Sequence, residues 1–173
     1  FWRGVNVNPN AIYMECFMDE LAHAAGKDPL AFRQPLMADN PKGWAVLKAV
    51  ADAADWDNRR GRALGLSVCY AFGSYVAACA EVSQDDQGRI RMEKIFAATD
   101  PGYVVNPQQT EAQVDGSFVY GLSALLYGEC TLEDGKVVEE NFDTYPSLRM
   151  AQMPEVHTQV MPSGGFWGGV GEP

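Results

Sequence analysis

The sequence has 173 residues, enough for one ordinary domain and a second small lobe, and its 47% hydrophobic and 21% charged residues are typical of a folded chain. Its 23 acidic and 13 basic residues give a formal net charge of −10, which repels nucleic-acid phosphates and anionic lipid. No apolar run approaches the roughly 18 residues that cross a bilayer. We therefore expect no nucleic-acid partner and no direct membrane insertion.

The chain opens with helical patterns. Asn8-Pro9 offers a cap, and a helix is predicted from there to Gly26. Its apolar positions recur at helical spacing, which predicts a core-facing stripe in which the two methionines fill the core: Met14, Phe17, Met18, Leu21 and Ala25. Asp28-Pro29 predicts a short second helix through Phe32, and Asn40-Pro41 a third.

The pattern changes at the polar turn Arg59–Arg62. We predict a helical segment at residues 1–58 and an α+β lobe at residues 59–173. In this lobe we expect two strands around Gly73-Ser74, a third strand near residues 90–98, a long helix opened by Asn106-Pro107, a hairpin at Asp134-Gly135 and a last strand near residues 156–161. The fold class is α+β, two-layer, with helices packed on a mixed or antiparallel sheet.

Cysteine and histidine spacing gives no sign of a metal bound directly by side chains. The four cysteines form no C-x-x-C pair, and their spacing fits neither zinc nor iron–sulfur ligation: Cys16, Cys69, Cys79 and Cys130. His23 and His157 are isolated. Cys69 and Cys79 could face each other across a hairpin, although buried reduced thiols are the simpler interpretation.

Three places could carry chemistry. The glycine-rich tail from Gly164 to Gly171 ends in Glu172, whose carboxylate could act as a general base beside a bound ligand, although a flexible terminal loop fits the same residues. Arg3-Gly4 could clamp an anion just before the first helix, or Arg3 could be an exposed linker residue. Gln113, one turn into the long helix, is either a buried amide that needs partners or a solvated one.

At these same places the sequence resembles the molybdenum hydroxylases related to xanthine dehydrogenase and aldehyde oxidase. Residues 1–22 resemble that family's aromatic-Arg-Gly segment and the helix after it. The later matches follow in the family's order: GSYVAACAEVS, AATDPGYVVNPQQTEAQVDGSFVYGLSALLYGE, YPSLRMAQMPEVHTQVMPS and GGVGEP. The nearest branch is the isoquinoline 1-oxidoreductase beta subunit, and the match is to the C-terminal portion of the molybdopterin-binding large subunit.

The resemblance implies roles for particular residues. Glu172 matches the family's active-site base, which assists the attack of a water-derived oxygen on an electrophilic carbon of an N-heteroaromatic ring or an aldehyde. Gln113, Arg3, Gly4 and Gly171 match positions around the cofactor. Val5 stands where some relatives place an aromatic residue against a flat substrate, so a purine is a less suitable substrate.

The resemblance also implies the surroundings of the chain. It implies molybdenum-molybdopterin, in the cytosine dinucleotide form, as the cofactor of the parent enzyme. It implies as partners the rest of the large subunit, a small iron–sulfur subunit and a small aromatic or aldehyde substrate. The expected location is bacterial, cytoplasmic or periplasmic. Because the upstream pterin-binding segments are absent, we expect the isolated chain to be catalytically inactive and not to hold the cofactor stably. A non-catalytic folding or interaction module of the same family is the alternative.

Overall fold

The computed structural model describes residues 3–173 and places three helices before a sheet. The helices are α1 (Val7–Ala24), α2 (Pro29–Leu36) and α3 (Pro41–Ala53), followed by a 3₁₀ turn at Trp56–Asn58. Then come β1 (Ala63–Ala71), β2 (Ser74–Gln84), β3 (Ile90–Asp100), α4 (Pro107–Tyr127), the short hairpin β4 (Leu132–Glu133) and β5 (Lys136–Val137), a 3₁₀ turn at Met150–Gln152, and β6 (Glu155–Val160).

The starts of α2, α3 and α4 follow local capping chemistry, whereas the cap predicted at Asn8 is wrong, because α1 begins at Val7 after Asn6 and has no side-chain cap. The Asp28 side chain accepts hydrogen bonds from the backbone N–H groups of Leu30 and Ala31, and the side chains of Asn40 and Asn106 cap α3 and α4 in the same way. A proline follows each cap, and it suits the first turn because the N–H that it lacks would have no partner inside the helix. The three predicted starts at these residues are confirmed, and α2 extends to Leu36, beyond the predicted end at Phe32.

The four-stranded sheet has the order β1-β2-β3-β6. β1 to β3 form an antiparallel meander, whereas β6 pairs with β3 in parallel after the long connection through α4. Together with the helices, this mixed sheet confirms the α+β class.

One core joins the helical and the strand-rich parts of the chain. Buried residues of α3, such as Val46, Leu47 and Val50, pack with Leu66 of β1 and Ala98 of β3. A second cluster holds α4 and the stretch before β6 against the sheet, through Ile95, Leu122 and Leu148. The sheet therefore packs against α3, which precedes Arg59–Arg62 in the sequence, and against α4, which follows it.

The direction predicted for the apolar stripe of α1 is wrong, because the stripe faces solvent and not the core. Met14 and Phe17 are exposed, and Met18 is only half-buried, so the methionines do not fill the core. The inward face of α1 carries Glu15 and Asp19 instead, because both carboxylates bind the buried guanidinium of Arg33 on α2.

Two further local expectations need correction. In the β1–β2 register Cys69 lies opposite Val76 and Cys79 opposite Leu66, so the two thiols do not face each other across the hairpin. The hairpin turn itself is Phe72-Gly73, with φ values of 50° and 81°, and Ser74 already belongs to β2.

Candidate functional site

The N-terminal turn holds two of the predicted site residues in an unusual backbone conformation. Gly4 has a φ of 82° and Val5 a φ of 43°, so two successive residues are left-handed just before α1. The Asn8 side chain donates to the carbonyl of Arg3, and Val7 N–H donates to the carbonyl of Gly4, each over 3.0 Å. A side chain at Gly4 would collide with Asn8, since its Cβ would lie 2.3 Å from Asn8 Oδ1. The positive φ of Gly4 and this contact with Asn8 both favour glycine at this turn.

The glycine-rich tail is attached to the sheet by backbone hydrogen bonds. Gly168 N–H donates to the carbonyl of Pro101 over 2.8 Å, and Gly169 N–H donates to the carbonyl of Phe72 over 2.9 Å. The Ser74 hydroxyl donates to the carbonyl of Gly169. The tail is thus held between the β1–β2 turn and the end of β3, and these contacts determine where Glu172 lies.

The tail and the N-terminal turn meet at Glu172. Its Oε2 accepts a hydrogen bond from Gly4 N–H over 3.3 Å, although the two residues are 168 positions apart. Glu172 is exposed, so its carboxylate is oriented by the protein and still accessible to a ligand. In this way the left-handed turn directs a backbone donor at the residue predicted to be the base.

Gly171 brings the remaining predicted residues into contact. It is buried, with a φ of 90°, and a Cβ at this position would lie 3.1 Å from Arg3 Nη2 and 3.1 Å from the carbonyl oxygen of Gln113. The structure therefore gathers all five predicted site residues, namely Arg3, Gly4, Gln113, Gly171 and Glu172, at one place. The Gln113 side chain is exposed, which answers the question that its sequence pattern left open.

An apolar recess of about 480 Å³ opens beside this cluster. Val5 from the N-terminal turn, Met14 from α1 and Cys69, Tyr70 and Phe72 from the β1–β2 hairpin contribute to its lining. The carboxylate of Glu15 reaches the recess too, but its Oε2 accepts from Arg33 and from the backbone N–H of Val68. The recess suits an uncharged, largely apolar group.

Burial controls the protonation of two groups around the recess. Burial raises the pKa of the Glu15 carboxyl above its usual value, and the nearby Arg33 guanidinium opposes this rise. Burial, reinforced by the charge of Glu15, raises the pKa of the Cys69 thiol to about 11. Cys69 is therefore a neutral thiol near neutral pH and a poor nucleophile.

Several contributors to the site carried no signal in the sequence. The guanidinium carbon of Arg3 lies 4.6 Å from the centre of the Tyr120 ring, a cation–π contact that links the N-terminal turn to α4. The Cys69 thiol lies 3.7 Å from the carbonyl oxygen of Pro173. Aromatic residues at hairpin tips are common, so only the folded arrangement could identify Tyr70 and Phe72.

Within residues 3–173 no group of three or more histidine, cysteine, aspartate or glutamate side chains is arranged to hold a metal ion. In the same range, no helix combines the length and the apolar character that crossing a membrane requires.

A family model for the molybdopterin cofactor-binding domain matches residues 8–154. The beta subunit of the isoquinoline 1-oxidoreductase of Brevundimonas diminuta is 30% identical over 99% of the chain, which corresponds to 23% of that relative. A nicotinate dehydrogenase subunit of Pseudomonas putida is 29% identical over 92% of the chain and 15% of its own length. The chain thus spans a quarter or less of these relatives.

Solved structures show a similar fold. Quinoline 2-oxidoreductase from Pseudomonas putida 86 superposes with a TM-score of 0.53 at 23% identity, covering 57% of this chain and 14% of the other. The reconstituted CO dehydrogenase from Oligotropha carboxidovorans gives a TM-score of 0.52 at 22% identity, covering 57% and 13%.

Proposed function

Because the chain belongs to the molybdopterin cofactor-binding domain family, as its motifs indicated, we propose that it forms part of the catalytic subunit of a molybdenum hydroxylase. The observation that carries this proposal is the meeting of Glu172, Gly4 and Gly171 with Arg3 and Gln113 at one end of the sheet. Residues from three distant parts of the chain come together there, and together they offer hydrogen-bond donors and a carboxylate.

The donor set at this place fits an anionic pterin cofactor. Arg3 is half-buried and offers guanidinium donors, and the exposed Gln113 side chain offers an amide donor in the second turn of α4. When bound, the cofactor would supply the two-electron oxidation, while the protein orients it and provides a base. We propose the cytosine dinucleotide form of this cofactor.

Glu172 would act as the general base. Gly4 N–H holds one oxygen of its carboxylate, so the other oxygen can receive the proton of a water-derived hydroxyl group. The backbone contacts of the tail keep the carboxylate in place, which limits the reorientation needed for proton transfer. This role requires the ionised form of Glu172 at the start of the reaction.

The recess favours a neutral substrate. Its lining by Val5, Met14, Tyr70 and Phe72 offers apolar and aromatic contacts to a flat ring, and the charge of Glu15 is already bound by Arg33. An N-heteroaromatic ring oxidised at carbon, or an aldehyde, meets these conditions. Val5 is smaller than an aromatic residue, which leaves space on that side of the ring.

The activity requires more protein than this chain. We propose that the rest of a large subunit completes the cofactor site, and that a small iron–sulfur subunit removes the electrons in a bacterial enzyme of the cytoplasm or periplasm. The four cysteines described are free and dispersed, which is no arrangement for an iron–sulfur cluster. The isolated chain is therefore proposed to be inactive.

Elemental mass spectrometry of molybdenum tests this proposal on two samples. One is the purified 173-residue chain, and the other is the complete polypeptide encoded by the native gene, copurified with its small subunit. We expect stoichiometric molybdenum only in the second sample, together with oxidation of quinoline-like rings or aromatic aldehydes. Stoichiometric metal in the first sample would contradict the inactive fragment. A complete polypeptide without molybdenum would instead identify a non-catalytic module.

A further inference from the structure

Helix α1 turns an apolar face to solvent and a charged face to the body of the protein. Its outer face carries four large apolar side chains, with exposed fractions of 70% for Tyr13, 60% for Met14, 56% for Phe17 and 39% for Leu21. These positions recur at helical spacing, so they form one continuous stripe. A surface helix normally turns such a stripe towards the core, and contiguous exposed apolar patches mark interaction surfaces.

The inner face of α1 explains why the helix cannot simply rotate. Glu15 and Asp19 both bind Arg33, whose side chain is only 2% exposed, and Glu15 also accepts from the backbone N–H of Val68 on β1. Turning the apolar stripe inward would leave the buried guanidinium of Arg33 without its carboxylates, which is strongly unfavourable. The ion pairs with Arg33 therefore fix the orientation of α1, and its outer face is available for a partner.

We propose that the outer face of α1 is the docking surface for another part of the same large-subunit polypeptide. The relatives show that such polypeptides exist, because this chain corresponds to only 23% of the isoquinoline 1-oxidoreductase relative and 15% of the nicotinate dehydrogenase relative. A segment of the same polypeptide is present at a high effective concentration, so it outcompetes a second copy for the surface. This inference rests on the proposed membership of a longer large subunit.

The chemistry of the face specifies the docking segment. The stripe itself is uncharged, and Glu15 and Asp19, on the opposite face of α1, bind Arg33. The exposed Glu20 borders one edge of the stripe. An apolar, uncharged surface is therefore the matching occupant. Met14 belongs both to the stripe and to the lining of the recess beside Glu172. The docked segment consequently also forms a wall of the recess.

Photo-crosslinking in the complete polypeptide of the native gene tests the docking surface. Phe17 is replaced by p-benzoylphenylalanine, and the crosslinked peptides are identified by mass spectrometry. Arg91 on β3, with 68% of its side chain exposed, is replaced in a parallel control. We expect crosslinks from position 17 to peptides outside these 173 residues of the same polypeptide, and far fewer from position 91. Crosslinks between two copies, a yield no higher than that of the control, or a gene product without further residues would each overturn the proposal.

A substitution series gives a second readout that does not depend on molybdenum. Phe17→Glu should leave the thermal unfolding of the 173-residue chain unchanged, because the side chain is exposed there. In the complete polypeptide the same substitution should make the protein markedly more sensitive to limited proteolysis. Asp86→Asn, at an exposed position in the turn between β2 and β3, is the control expected to change neither protein. Equal behaviour of Phe17→Glu in both proteins would contradict docking, even if the proposed enzyme activity were absent.

Discussion

The backbone N–H of Gly4 donates a hydrogen bond to Oε2 of Glu172 over 3.3 Å and so joins the two ends of the described chain. The donor is presented by a turn in which Gly4 and Val5 both have positive φ, and the acceptor by a tail whose backbone is bonded to the sheet. Neither residue lies in a regular element. The geometry of the site is therefore a property of two loops that are each fixed by their own contacts.

Replacing Glu172 by glutamine separates its proposed chemistry from its structural contact. The amide oxygen of Glu172→Gln can still accept from Gly4 N–H, so the thermal unfolding temperature should not change. Turnover of the complete enzyme should fall by about 10²- to 10⁴-fold, the usual contribution of a general base. The same change at Glu133, in the remote β4–β5 hairpin, is the control. Full activity of Glu172→Gln would exclude it as the base.

Gly171→Ala should lower the free energy of unfolding by about 1–3 kcal/mol, because alanine is strained at positive φ. The new methyl group would also press on Arg3 and on the backbone of Gln113, so cofactor retention in the complete enzyme should decrease. Gly116→Ala is the matched control, since Gly116 lies in α4 with open space around its Cβ position. It should stabilise the protein by about 0.5–1 kcal/mol. Urea unfolding measures the change in unfolding free energy for both variants. Changes of the same sign in Gly171→Ala and Gly116→Ala would contradict the expectation.

Asp28 links α2 to the 3₁₀ turn before the sheet. Its carboxylate caps α2, accepts from Trp56 Nε1 over 3.1 Å and pairs with Arg59. Asp28→Ala removes the cap and the partner of the buried indole, so we expect a loss of about 2 kcal/mol of stability in urea unfolding. Asp28→Asn retains an acceptor for the cap of α2, so it should lose clearly less stability than Asp28→Ala.

The lowered pKa of Asp28 predicts how the stability of the protein changes in acid. Burial alone would raise the pKa of Asp28, but the Trp56 hydrogen bond, backbone N–H groups and the Arg59 charge together lower it below its ordinary value of 3.8. Because the folded pKa is lower than the unfolded one, Asp28 contributes stability above pH 3.8, and this contribution disappears as the pH falls through the folded pKa. Unfolding measured between neutral pH and acid should therefore show a smaller acid loss in Asp28→Asn than in the wild type. Identical slopes would show that Asp28 does not contribute.

Thiol labelling should distinguish the cysteines by location. Burial raises the pKa of Cys69 and of Cys79 to about 11, compared with 9.0 for an ordinary thiol, so each carries about 100-fold less thiolate at pH 8. Iodoacetamide should modify the exposed Cys16 and Cys130 first, as seen by mass spectrometry of peptides. Unfolding in urea should make all four react, which is the internal control. Early modification of Cys79 would contradict its burial.

The sequence predicted where helices and strands begin and end better than it predicted how they pack and pair with each other. The capped starts at Asp28, Asn40 and Asn106 follow from hydrogen bonds within a few residues, and these are visible in a local pattern. The direction of α1 is not local, because it depends on the contact of Arg33 with Glu15, 18 positions away. The parallel pairing of β6 with β3 likewise depends on the route of the chain through α4.

The candidate site likewise contains residues that the sequence could identify and residues that only the folded structure reveals. Motif resemblance pointed to Glu172, Gly171, Gln113, Arg3 and Gly4, and the structure brings these residues together, while their functional roles stay predictions. Tyr120 and the recess residues Tyr70 and Phe72 could not be selected, since a cation–π contact or an aromatic wall exists only after helices and hairpins have packed.

The hydrogen bonds between the tail and the β1–β2 turn have a dynamic consequence. Gly169 N–H donates to the carbonyl of Phe72, and the Ser74 hydroxyl donates to the carbonyl of Gly169, so detaching the tail breaks contacts with both sides of the hairpin tip. The amide of Gly169 should therefore exchange with deuterium at the rate of the hairpin and not at the rate of a frayed end. A motion of the tail that displaces Glu172 is then expected to disturb Phe72 as well, which lines the recess.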